Sequence, residues 1–82
     1  MAIAPAPVYQ EVYYFLASGP SREAILAFRP SESTQERLRQ LLALNTAGKT
    51  TEMEQAELDE FEQVEHFVRM LKLYTQQLMS ES

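Results

Sequence analysis

The sequence predicts an all-α domain in which three short helices pack against one long C-terminal helix. Three observations carry this expectation. Apolar residues recur at three- and four-residue spacing, Ser/Thr-x-x-Glu capping signals precede two of those runs, and residues 51–79 contain neither proline nor glycine. A chain of 82 residues, 45% apolar, is enough for one modest core and too short for two domains. A domain of this size buries only about 60% of the surface its unfolded chain exposes.

Residues 1–7 interleave alanine and isoleucine with Pro5 and Pro7. Proline lacks an amide donor and disfavours helical geometry in the residue before it, so this segment reads as an extended or frayed arm. The helical domain is expected over 8–79, with 80–82 as a disordered tail. Val8, Val12, Phe15 and Leu16 define the buried face of a first helix, Tyr9 and Tyr13 flank it, and Gly19-Pro20 ends it. Ser21 offers a cap to a short second helix carrying Ile25, Leu26 and Phe28, which Arg29-Pro30 stops. Ser31 and Ser33 both offer a side-chain oxygen to helix-start amides, and Ser33-Thr34-Gln35-Glu36 matches a capping box that places the start of the third helix near residue 33. Leu38, Leu41 and Leu42 are its expected buried stripe, with Arg37, Arg39 and Gln40 facing water. Gly48 is placed to end it in a left-handed conformation.

Thr51-Glu52-Met53-Glu54 is a second capping box and opens a helix of roughly 29 residues, about 43 Å long. Acids crowd its front half, where they complement the helix dipole, and Arg69 and Lys72 come later. Leu58, Phe61, Val64, Val68, Leu71 and Leu78 follow a heptad-like seam continued by Thr75 and widened by Phe67, Met70 and Tyr74. Three helices of about 9, 8 and 13 residues span about 12 to 20 Å each and cannot cover this rod. Part of its face is therefore expected to meet another chain, with Tyr9, Tyr13, Phe67, Met70, Leu71, Tyr74 and Leu78 as the interface residues.

Charge narrows the choice of partner. Twelve acids against seven bases give a formal net charge of −5. That argues against direct nucleic-acid binding, which draws on clustered Lys and Arg, and for a protein partner with a basic surface. Glu52, Glu57, Asp59, Glu60, Glu62 and Glu65 are the residues expected to steer it. No run of about 18 apolar residues is present and proline breaks the N-terminal apolar stretch, so neither a membrane span nor a secretion signal is expected. Without cysteine the composition fits a cytoplasmic protein.

Chemistry-bearing constellations are sparse. One histidine, no cysteine and no glycine-rich phosphate loop leave little from which to build a catalytic pocket, so no enzyme activity and no cofactor are expected. His66 lies one turn after Glu62, the spacing of an ordinary surface pair, and is expected to be solvated. The carboxylates match neither a calcium loop nor the Glu-x-x-His pattern of dinuclear bundles, so no metal is expected. Arg29, at the boundary before Pro30, is expected to cap carbonyls of the second helix or pair with the acidic front of the fourth.

The strings Phe15-Leu16-Ala17-Ser18-Gly19-Pro20-Ser21, Ile25-Leu26-Ala27-Phe28-Arg29-Pro30-Ser31-Glu32, Thr51 to Glu54 and Ala56 to His66 together resemble a group of short uncharacterised proteins. These are all-α proteins common in cyanobacteria and some other bacteria, and the resemblance covers residues 12–74. Its members are often encoded beside nuclease-like proteins, which implies an antitoxin-like role. This chain has Thr50-Thr51-Glu52-Met53-Glu54 where they tend to carry Leu-Thr-Pro-Glu-Glu, and its C-terminal end is less basic. The sequence reading is therefore a non-enzymatic, acidic protein-interaction module, antitoxin-like or regulatory, that forms a homodimer. The alternatives are a purely structural homodimer through the long helix and, last, a small hydrolase using Glu62, Glu65 and His66.

Overall fold

The computed structural model describes residues 7–81, and within them the fold is all-helical. Helix α1 is Pro7–Ala17, α2 Arg22–Leu26, α3 Glu32–Thr46 and α4 Glu52–Ser80. Pro7 opens α1, where its missing amide costs no helical hydrogen bond, so the helix begins one residue inside the expected arm. The rest of that arm and Ser82 lie outside the described residues. At the other end α4 continues through Ser80, one residue past the expected stop, and is capped by Glu81.

Local chemistry sets most boundaries. Gly19 and Gly48 both take φ +69°, the left-handed region open to glycine without a Cβ clash. After α3 the Gly48 amide bonds to the Asn45 carbonyl at 3.0 Å and the Lys49 amide to Leu44 at 2.9 Å, a complete Schellman closure. After α1 only the first of these bonds forms, from Gly19 to Leu16 at 3.2 Å, because Pro20 has no amide to donate. Ser21 caps α2 by accepting from the Ala24 amide at 3.1 Å. Thr51 and Glu54 form the reciprocal capping box that the sequence predicts for α4, at 3.1 and 2.9 Å.

Helix α3 departs from expectation. Its cap is Ser31, whose hydroxyl accepts from the Thr34 amide at 3.3 Å, while Ser33 is already helical. A capping-box glutamate three residues on would accept the cap's own amide. Here Glu11 of α1 does so, taking the Ser31 amide at 2.7 Å and the Thr34 hydroxyl as well. The box is thus closed from another helix, and Glu36 turns instead to Arg39 at 2.8 Å.

Val8, Val12 and Val64 form the buried centre, with Tyr9, Leu16, Phe28, Phe61 and Val68 packed around them. Leu41 and Leu58 are buried between α3 and α4. Phe15 is half-buried and meets Phe28 ring to ring at 4.6 Å, tying the end of α1 to the end of α2. Two expectations for α3 are corrected. Leu42 is 48% exposed, because α4 covers only the Leu38–Leu41 side. Arg37, expected in water, is half-buried and grips Glu57 of α4 through two hydrogen bonds of 2.8 Å.

This core does not close around the rod. The radius of gyration is 14.8 Å, against about 11.7 Å for a compact chain of this length.

Candidate interaction surfaces

Helix α4 presents two different flanks. At about 100° per residue, Gln63, Phe67, Met70, Tyr74 and Leu78 fall within one narrow sector, an aromatic stripe along the second half of the rod. Phe67 is 49%, Tyr74 58% and Leu78 51% exposed, while Met70 and Leu71 are half-buried at its edge. Helix α1 extends the stripe sideways. The Tyr9 hydroxyl donates to the Gln63 side chain at 2.7 Å, and the Tyr9 ring stacks on Tyr13 with centroids 6.0 Å apart. Tyr9 is thereby half-buried as a support, and Tyr13, 56% exposed, is the free member of the pair. Tyr14 and Leu73 are also exposed.

The acidic front is less uniform than its composition suggests. Glu57 is committed to Arg37, which holds its carboxyl below the ordinary glutamate value through hydrogen bonding, with desolvation opposing. Glu65 is engaged by Arg69 one turn later. Glu52, Asp59 and Glu62 remain exposed and Glu60 half-buried, none of them ion-paired among the described residues. His66 is exposed and forms no ion pair with Glu62. No group of three or more His, Asp or Glu among the described residues is arranged to hold a metal ion.

The opposite flank of α4 borders a groove of about 590 Å³. Its floor is Val8, Phe28, Leu38, Phe61, Val64 and Val68, and its rim includes Arg29, Arg69, Lys72 and Glu65. The expected pairing of Arg29 is not found. Its side chain is exposed and makes no ion pair among the described residues, since the α2–α3 turn sends it to the rim of the groove. Lys72 takes over the capping task from α4, donating to the Phe28 carbonyl beyond α2 at 2.9 Å. Arg37, not Arg29, reaches the acidic front.

Comparison with protein families, with characterised proteins and with solved structures finds no match. What the chain can do is therefore read from these surfaces. Among the described residues no helix is long and apolar enough to cross a membrane.

Proposed function

We propose that the chain is a non-enzymatic protein-interaction module that binds through the aromatic stripe of α4. The exposed row of Phe67, Tyr74 and Leu78, continued by Tyr13, carries this reading. Large apolar side chains aligned on one face are what a partner's core contacts, and aromatic residues dominate binding energy at such sites. The free carboxylates Glu52, Asp59, Glu60 and Glu62 lie upstream on the same helix and steer a partner with a basic surface. The resemblance to proteins encoded beside nuclease-like neighbours makes an antitoxin-like, inhibitory partnership the first version to test.

A second reading is pairing of two copies through the same stripe, favoured by its exposed row of Phe67, Tyr74 and Leu78. A two-fold pair is the commonest closed form. Sedimentation velocity across a concentration series distinguishes these versions. A dimer that the Phe67→Ser/Tyr74→Ser variant converts to monomer supports self-pairing. A monomer that binds a co-purified basic partner through the same two residues, with an on-rate falling as salt rises, supports the first. Binding that survives the double substitution refutes the stripe in both versions.

A further inference from the structure

The groove on the other flank of α4 has a charge opposite to that of the chain. The protein carries a formal −5 and seven cationic side chains, yet three of the seven, Arg29, Arg69 and Lys72, ring this one concavity. Among the described residues Glu65 is the single carboxylate on its lining, and it is already held by Arg69. Arg29 meets no carboxylate among the described residues, and Lys72 contacts the neutral Phe28 carbonyl. Beneath these cations the floor is apolar, built on Phe28, Phe61, Val64 and Val68.

We propose that this groove binds an acidic peptide segment of a partner protein, with apolar side chains seated on the Phe28–Phe61–Val68 floor and carboxylates against Arg29 and Lys72. Charge complementarity selects the sign of the ligand. Arg29 presents a guanidinium that no carboxylate among the described residues engages, the group best matched to a two-point carboxylate contact, and the capping bond fixes Lys72 on the carbonyl of the neighbouring Phe28. The open side of the groove selects a peptide over a small ligand. Small-molecule sites enclose most of their ligand, whereas an amphipathic segment lies in an open trough and keeps its polar face in water. This site does not depend on the aromatic stripe and lies about 150° around α4 from it. Together the two would make the module bifunctional, with an apolar face for one surface and a cationic groove for another.

Selection from a random peptide display library against the intact chain tests the proposal. Enriched peptides should place Asp or Glu within a turn of Leu, Ile or Phe. Their affinity should fall at least about tenfold in Arg29→Glu, an exposed position whose change leaves the core untouched, and fall as salt rises. Lys72→Gln should weaken binding in the same direction, and Phe67→Ser/Tyr74→Ser should leave it unchanged. Four outcomes overturn the inference: no enrichment, enrichment of basic or uncharged peptides, loss of binding in the stripe variant but not in Arg29→Glu, or displacement by dodecanoate at concentrations below those of the peptide.

Discussion

Replacing Glu11 with alanine should be among the most damaging single changes to a polar residue in this protein. Its carboxylate accepts from the Ser31 amide at 2.7 Å and from the Thr34 hydroxyl, and so joins α1 to the first turn of α3. Hydrogen bonds to a charged group contribute about 1.5–3 kcal/mol each when shielded, and a carboxylate at a helix start adds about 0.3–1 kcal/mol. Glu11 is half-buried, so water replaces part of what is lost, and the expected cost is about 2–3 kcal/mol. At roughly 6 °C per kcal/mol for a domain of this size, melting should fall by about 12–18 °C. Glu11→Gln keeps an acceptor oxygen and should cost about 1 kcal/mol less.

The dependence on pH gives an independent check. Desolvation raises the Glu11 carboxyl, but hydrogen bonds from the Thr34 hydroxyl and the Ser31 amide outweigh it and leave it below the ordinary glutamate value. A depressed folded value means that the unfolded chain takes up the proton first. The stabilisation is therefore fully present above the unfolded value, about 4.3, and is lost as pH falls through the lower folded value. Thermal melts by circular dichroism from pH 7 to pH 3 should show the gap between wild type and Glu11→Ala narrowing below about pH 4.3. Glu62→Ala, at an exposed carboxylate of the same charge, should stay within about 3 °C of wild type. A Glu11→Ala melt within a few degrees of wild type at pH 7, or a gap that does not narrow as pH falls below about 4.3, would refute the trans-closed cap.

Two further expectations concern the same framework. Ser31→Ala and Thr51→Ala should each cost about 1 kcal/mol in denaturant unfolding, while Ser33→Ala and His66→Ala should cost much less, because only the first two satisfy a helix-start amide. Glu57→Gln should flatten the acid limb of the stability profile, since Arg37 holds that carboxyl below its ordinary value and the ionised pair is lost as pH falls through it; potentiometric and melting titrations of the variant measure this.

How far the fold could be read in advance depended on the range of the interaction that fixes each feature. The long α4, its Thr51–Glu54 box, the Ser21 cap and the Gly48 stop were legible because each rests on residues within a turn or two of one another. The start of α3 misled the same logic. Ser33 with Glu36 is a valid local signal, but Ser31 prevails because Glu11, twenty residues upstream, satisfies its amide. Spacing alone also marked the exposed members of the stripe, Phe67, Tyr74 and Leu78, since a heptad face wider than its short neighbours must leave something uncovered.

Only the tertiary structure decided which charges remain free. Composition counts Glu57 with the other acids and Arg29 with the paired bases, whereas packing α3 on α4 commits Glu57 to Arg37 and the turn after α2 leaves Arg29 at the rim of a groove. Net charge is a sum over the chain and carries no positions. The apolar floor beneath Arg29 and Lys72 exists because α1, α3 and α4 meet the α2–α3 turn there, and the charge around it is the reverse of the total. Sequence fixes the pairings that neighbouring residues can make, and the fold fixes those between residues that the chain brings together from a distance.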